Sequence, residues 1–230
     1  FMPDTRVAIA GLGAIGRAVA RKLTDGLPGL KLAAIATGDK AKAQAWLGAQ
    51  AIVCPIVPLA DLPVHADLAI ECAPAAQIEN ICRPMLEAGK QVMVLSCGAQ
   101  LPRPELIDLA KAHGGRIVVP TGALLGLDAV IASAEGTIHS VRMTTRKPPA
   151  GLVGAPHLVK NNISVDGLNT AKLVFSGTAR EAAAGFPANV NVAAALSLAG
   201  IGPDPTMIDI WADPAVERNC HSIEVDSDSA

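Results

Sequence analysis

The sequence predicts an α/β protein with two domains: an N-terminal Rossmann domain with a doubly wound parallel sheet, and a smaller C-terminal α+β domain with a mainly antiparallel sheet. Three observations predict it: a glycine-rich loop between a strand and a helix near the start, strands that alternate with helices in the first half, and loss of that alternation afterwards. We place residues 1–122 in the first domain and residues 123–230 in the second. At 230 residues the chain is long enough for each domain to bury its own core.

Patterns typical of buried strands and of helices alternate through the first domain. The predicted strands are 6–10, 32–36, 68–71, 91–95 and 116–119, and the predicted helices are 17–25, 75–88 and 104–112. Because neighbouring parallel strands need a crossover connection, this alternation predicts a parallel sheet. A weaker strand at 51–57 is expected at an edge, since Pro55 has no backbone donor.

The second domain has a different pattern. Hydrophobic residues alternate with period two near its start, and later strand-like segments are not regularly separated by helices. The predicted strands are 137–145, 172–176, 207–211 and 221–226, and the predicted helices are 178–184 and 191–198. This arrangement favours a mainly antiparallel sheet.

Composition excludes several classes of function. The net charge is −2 without a basic stripe, Tyr is absent and only three Phe and two Trp occur, so neither nucleic-acid binding nor base stacking is expected. No apolar run reaches the roughly 18 residues of a membrane span, so no membrane partner is expected. The five cysteines form no CxxC pair, which argues against a disulfide framework and against a metal site. We therefore expect a cytoplasmic protein with reduced thiols.

The segment VAIAGLGAIG carries the strongest local signal. Gly11, Gly13 and Gly16 have GxGxxG spacing between a strand and a helix, with Ala14 and Ile15 inside the motif. The first glycine permits a tight turn, the second lets the backbone approach a pyrophosphate, and the third lets the helix pack closely on the sheet. These residues predict a dinucleotide bound at the N-terminus of the helix.

The end of the second strand bears on the choice of cofactor. An acidic residue here holds the ribose of NAD, and Asp39 is the nearest candidate, although Thr37 lies where the carboxylate is expected. We expect NAD as the cofactor, with NADP as an alternative. Asp39 could instead only cap the helix that begins near Lys40.

Two further loops lie at the carboxyl edge of the predicted sheet, where ligands bind in open α/β proteins. Cys72 and Ala73 follow the strand at 68–71, and Ser96 and Gly98 follow the strand at 91–95, so all four are candidate cofactor contacts. A nucleophilic role for Cys97 is the less favoured alternative, because no histidine lies near it in sequence. The loop also lacks the EKP lysine of sugar and inositol dehydrogenases.

Four longer motifs are far more specific: PTGALLGLDAV (120–130), TTRKPP (144–149), FPANVNVAAALSLAG (186–200) and ADPAVERNCHSIEV (212–225). With the glycine loop they resemble the L-aspartate dehydrogenase family along almost the whole chain. The resemblance implies oxidative deamination of L-aspartate to iminoaspartate, which hydrolyses to oxaloacetate or enters NAD biosynthesis. It also implies a homodimer. Family members continue beyond the last predicted strand, so we expect a second domain shortened at its C-terminus.

The resemblance also implies site residues. His221 corresponds to the catalytic histidine of the family, and Ala123 and Asn189 correspond to cofactor contacts. Histidine suits this chemistry, since its unperturbed pKa lies near neutral pH, where amine and water protons must be handled. The other candidates are His65 and His113, which we expect to be solvated, and His139 and His157, which the sequence does not dismiss.

A dicarboxylate substrate also needs cations and hydrogen-bond donors. From the second domain we select Lys160, Asn191 and Arg218 as substrate-binding candidates, whereas Arg146 and Lys147 are interpreted as charges on the rim of the site.

Two alternative functions remain at this stage. One is another imine or semialdehyde dehydrogenase, such as a dihydrodipicolinate reductase-like enzyme, although the basic cluster around paired histidines that it needs is not found. The other is a dinucleotide-sensing protein without catalysis.

Overall fold

The computed structural model describes residues 3–122, 124–187 and 190–228. The chain divides into two compact units, Phe1–Pro120 and Thr121–Ala230. Among the described residues, no helix combines the length and the apolar character needed to cross a membrane.

The first unit is a five-stranded parallel sheet with helices on both faces. Its strands are β1 (Thr5–Ala10), β2 (Leu30–Ala36), β3 (Leu68–Glu71), β4 (Gln91–Val94) and β5 (Arg116–Val118), in the order β2-β1-β3-β4-β5. Its helices are α1 (Ala14–Gly26), α2 (Lys40–Ala49), α3 (Leu62–His65), α4 (Ile78–Glu87), α5 (Cys97–Gln100) and α6 (Pro104–His113). The Rossmann prediction is confirmed.

Both faces of this sheet are buried, as a parallel sheet requires. Along β1, Val7 and Ile9 belong to the core under α1 and α2, whereas Ala8 and Ala10 belong to the core under α3, α4 and α6. Alternate side chains of this one strand therefore pack into two separate cores.

The weak strand expected at 51–57 is reduced to a single bridge. Ile56 pairs in parallel with Ile35 of β2, and the N–H of Ile35 donates to the Pro55 carbonyl at 2.9 Å. Prolines 55 and 58 remove donors on either side, so the segment lies at the outer edge of β2 without forming a regular strand.

Among its described residues, the second unit forms a four-stranded sheet and four α-helices. The strands are β6 (Ile138–Lys147), β7 (Lys172–Thr178), β8 (Met207–Ala212) and β9 (Cys220–Ser227), in the order β7-β8-β6-β9. The helices are α7 (Leu127–Ser133), α8 (Pro156–Lys160), α9 (Ala179–Gly185) and α10 (Asn191–Ala199). Pairs β6–β9 and β7–β8 are antiparallel and β6–β8 is parallel, so the sheet is mixed but mainly antiparallel, as predicted.

Helix α9 covers β7 and β8, and its start is fixed by the sequence. Thr178 Oγ1 accepts from the Glu181 N–H at 3.2 Å, and the Glu181 carboxylate accepts from the Thr178 N–H at 2.8 Å. This reciprocal pair is a capping box, which satisfies two backbone donors at the helix start. The short helices α7 and α8 were not predicted, since neither is long enough to show a helical period.

Candidate active site

A cavity of about 920 Å³ opens at the carboxyl edge of the parallel sheet, where β1 and β3 end side by side. The chain leaves β1 toward one face and β3 toward the other, so the following loops separate and leave a crevice. The residues that line it come from the glycine loop and the start of α1, from the end of β2 and the start of α2, from segment 57–59, and from the loop after β3. They are Gly11, Leu12, Gly13, Ala14, Arg17, Ala36, Thr37, Gly38, Asp39, Lys40, Lys42, Ala43, Val57, Pro58, Leu59, Cys72, Ala73, Pro74 and Gln77.

Each glycine of the first loop is explained by its surroundings. Gly11 has φ +106°, and a Cβ there would lie 2.4 Å from the Cys72 carbonyl oxygen. A Cβ on Gly16 would lie 2.0 Å from the Gly11 carbonyl oxygen. A Cβ on Gly13, in contrast, would meet nothing within 4 Å, and Gly13 lines the cavity. Two glycines therefore hold the turn and the helix in place, and the third leaves space at the cavity.

The N-terminus of α1 is suited to a pyrophosphate. Gly13 is its N-cap residue and supplies no side chain to bond the first free N–H groups. Those donors and the helix dipole favour an anion. Two features therefore suit the motif to a dinucleotide: the open space beside Gly13, and the backbone N–H groups at the start of α1, which no side chain caps.

Asp39 lies at the cavity and also caps a helix. It lines the cavity together with Thr37, and its Oδ1 accepts from the Lys42 N–H at 2.9 Å, which caps α2. Lys40 and Lys42 line the same part of the cavity. One acidic and two basic residues therefore line the cavity near the end of β2.

Glu71 fixes the loops that follow β3 and β4. Its side chain is fully buried, and its carboxylate accepts from the Ser96 N–H at 2.8 Å, from Ser96 Oγ at 3.2 Å and from the Ala73 N–H at 3.2 Å. A charged acceptor of this kind satisfies backbone donors that would otherwise be buried without a partner. Glu71 was not among the predicted site residues, because a glutamate at the end of a strand is no signal by itself.

The remaining candidates in the first unit divide into two groups. Cys72 and Ala73 line the cavity, whereas Ser96, Gly98 and Ile15 are not among the described residues that line it. Ser96 instead bonds Glu71, Gly98 is buried in α5, and Ile15 is 59% exposed.

Cys97 has no feature of a nucleophile. It is buried, its thiol donates toward the Val94 carbonyl, and burial raises its pKa to about 11. The thiolate that a nucleophile requires is therefore disfavoured at neutral pH.

His221 lies near the start of β9 and is directly opposite Thr145 of β6. Its Nδ1 atom is buried and, like Thr145 Oγ1, finds no hydrogen-bond partner among the described residues. Burial and, to a lesser extent, the positive charge of Lys147 lower the pKa of His221. Both effects favour the neutral imidazole, which is the form that accepts a proton.

The other histidines have structural surroundings. His139 contacts the Asp228 carboxylate at 2.7 Å on the surface. The ring of His157 packs between Phe175 and Phe186, with centroids 5.1 and 5.4 Å away. His65 ends α3 and is partly exposed, and His113 is exposed at the end of α6.

The cations of the second unit are arranged differently from the prediction. The interpretation of Lys147 as a rim charge was wrong: its side chain is 2% exposed, because alternate residues of β6 face the core. Arg146 faces the other side of the strand and bonds the Asp213 carboxylate at 3.0 Å. Lys160, Asn191 and Arg218 are exposed. Ala123 and Asn189, expected as cofactor contacts, lie outside the described residues.

Comparison with known proteins agrees with these features. Residues 128–230 match the family described as "Aspartate dehydrogenase, C-terminal", and residues 11–120 match "Homoserine dehydrogenase, NAD binding domain". An L-aspartate dehydrogenase of Bordetella bronchiseptica is 55% identical over 225 residues, which cover 97% of this chain and 83% of that protein. The chain belongs to the aspartate dehydrogenase family. It is thus an oxidoreductase with a unit for a nicotinamide dinucleotide.

Two further similarities support this family assignment. An L-aspartate dehydrogenase of Bradyrhizobium diazoefficiens is 55% identical over 227 residues, 99% of this chain and 81% of the relative. The crystal structure of aspartate dehydrogenase from Thermotoga maritima matches 98% of this chain and 86% of its own with a TM-score of 0.73 at 24% identity, which shows the shared fold.

Proposed function

We propose that this protein oxidatively deaminates L-aspartate with NAD or NADP and forms iminoaspartate, which hydrolyses to oxaloacetate or supplies NAD biosynthesis. The similarity to relatives named L-aspartate dehydrogenase, along almost the whole chain, carries the proposal. From family membership we also propose a cytoplasmic homodimer, with the second unit as the catalytic and dimerisation domain.

The chemistry assigns distinct tasks to the two units. The bound nicotinamide supplies a ring that accepts a hydride from the α-carbon of the substrate. The glycine loop and the N-terminus of α1 hold the pyrophosphate. In the second unit, the neutral imidazole of His221 takes a proton from the substrate ammonium group, so that nitrogen can share its electron pair as the C–H bond breaks. Water then adds to the imine carbon and ammonia leaves.

The activity itself is the first test. Purified protein given L-aspartate and NAD at alkaline pH should form reduced nicotinamide and an equal amount of ammonia. D-aspartate, L-alanine and L-malate are the matched controls, since they change the configuration, the second carboxylate and the amine in turn. Turnover with L-malate but not with L-aspartate would contradict the proposal.

Asp39 should influence the choice between NAD and NADP. Its carboxylate repels a 2′-phosphate, whereas Lys40 and Lys42 attract one. Asp39→Asn removes the charge but keeps a side chain that caps α2, so kcat/KM for NADP relative to NAD should rise about tenfold. Asp39→Ala should add a loss of stability of about 1 kcal/mol, because the cap is also removed. An unchanged coenzyme ratio in both variants would show that Asp39 acts only as a cap.

A further inference from the structure

The inner face of the sheet in the second unit ends in a polar cluster. Residues 141, 143, 145 and 147 of β6 alternate into the buried face. Thr145 is paired with His221 of β9, and Lys147 is paired with Ala212 of β8. Paired residues of neighbouring strands project to the same side, so Thr145, Lys147 and His221 share one face. Lys147 is diagonal to His221, within reach of a long side chain.

The cluster is buried, and its threonine and histidine each have a polar atom that the described residues leave unbonded. Thr145 and Lys147 are each 2% exposed. Thr145 Oγ1 and His221 Nδ1 have no hydrogen-bond partner among the described residues. Buried polar atoms without a partner are costly and rare, so a bound ligand is a natural way to complete them. Two such atoms on directly paired residues indicate one ligand position.

The charges at this position select an anion. Lys147 is close enough for its positive charge to lower the pKa of His221. Asp213, which follows the strand partner of Lys147, accepts from Arg146 and from the Ala215 N–H. A carboxylate placed here would accept from an ammonium and a hydroxyl in a site with little water, where charge-assisted hydrogen bonds are strong.

We propose that Lys147 binds a carboxylate group of the substrate beside His221, with the Thr145 hydroxyl as a second donor. This inference rests on the proposed function for the identity of the substrate, but the site itself would accept any small dicarboxylate. It replaces Lys160 and Arg218, both exposed, as the principal cation for substrate recognition.

Succinate, a dicarboxylate without the amine, is the probe for this site. Lys147→Met keeps an apolar stem of similar length and removes the charge, so the Kd for succinate and the KM for L-aspartate should each rise roughly 10- to 100-fold. Calorimetry gives the Kd. Lys172→Met is the control, because Lys172 is an exposed lysine of the same sheet, and both values should stay unchanged.

An NMR titration of the imidazole provides a readout that a structural role would not change. In Lys147→Met the pKa of His221 should rise, since a positive charge beside it is lost. In the wild-type protein, saturation with succinate should also raise this pKa, because a carboxylate then lies beside the ring. The wild-type titration needs no variant, so it decides the question even if Lys147→Met does not fold.

The outcomes separate this inference from the proposed function. Succinate that leaves the His221 titration unchanged, or binds Lys147→Met as tightly as the wild type, overturns the inference. If L-aspartate is not oxidised but succinate binding still depends on Lys147, the carboxylate site stands and the proposed reaction fails.

Discussion

Replacement of His221 by Asn should lower kcat for L-aspartate oxidation by about 10²- to 10⁴-fold, the usual contribution of a general acid–base group. Asparagine occupies a similar volume at the strand position opposite Thr145 but takes up no proton near neutral pH. The sheet should therefore remain intact, and dinucleotide binding, which involves the first unit, should be retained. Stopped-flow and steady-state measurements of nicotinamide reduction give kcat.

The pH profile tests the same residue in a second way. In the wild type, the base form of His221 persists below the ordinary pKa of 6.5, because burial and the charge of Lys147 disfavour protonation. Activity should hold as the pH falls through 6.5 and decline only in more acidic solution. In His221→Asn this acidic limb should disappear.

A matched control uses another histidine. His139→Asn removes an exposed ring that contacts Asp228 on the surface, and kcat should change less than twofold, in line with the small energies of exposed ion pairs. If His221→Asn retained wild-type kcat, or if both variants lost activity equally, His221 would not be the acid–base group.

Substitutions at Gly13 and Gly16 should separate cofactor binding from folding. A Cβ on Gly13 meets nothing within 4 Å and extends toward the cavity, so Gly13→Val should leave the fold intact. The added side chain occupies the space that a pyrophosphate needs, and the Kd for NAD should rise by about 100-fold or more. Fluorescence titration with reduced nicotinamide dinucleotide measures this loss.

Gly16→Val, in contrast, should mainly destabilise the fold. Its Cβ would lie 2.0 Å from the Gly11 carbonyl oxygen and 3.2 Å from Ile9 Cγ2, and backbone cannot move aside cheaply. Helix α1 would have to shift from the sheet, and the free energy of unfolding should fall by about 3 kcal/mol or more. Urea denaturation of both variants provides the comparison. Equal stability of Gly13→Val and Gly16→Val would contradict the different packing of the two glycines.

Much of the first unit could be predicted because its signals are local. A strand, three glycines and a helix in sequence specify a dinucleotide loop whatever the rest of the chain does, and the structure gives each glycine the surroundings that this role requires. The alternation of strands and helices also specified the parallel sheet. The strand expected near Pro55 became a single bridge, since whether an edge segment pairs depends on its neighbour in space.

The candidate site in the second unit was predicted less completely. Its motifs identified His221 through the family resemblance, but sequence spacing could not show which lysine is buried. Lys147 follows Arg146 directly in sequence. Only the orientation of β6 in the sheet determines that Lys147 points into the core and Arg146 toward Asp213. Similarly, Glu71 gained its role from Ser96, a residue that the fold brings to it from the next strand.

The sequence by itself therefore determined the order of the sheet strands and of the longer helices, the glycine loop and the family, because each is encoded in residues that are close along the chain. The tertiary structure decided which side chains are buried together, since strand pairing places His221 on the same face as Thr145 and Lys147, which are more than 70 residues away along the chain. Burial then lowers the pKa of the histidine and leaves two polar atoms without a partner among the described residues, and neither effect exists until the sheet has formed.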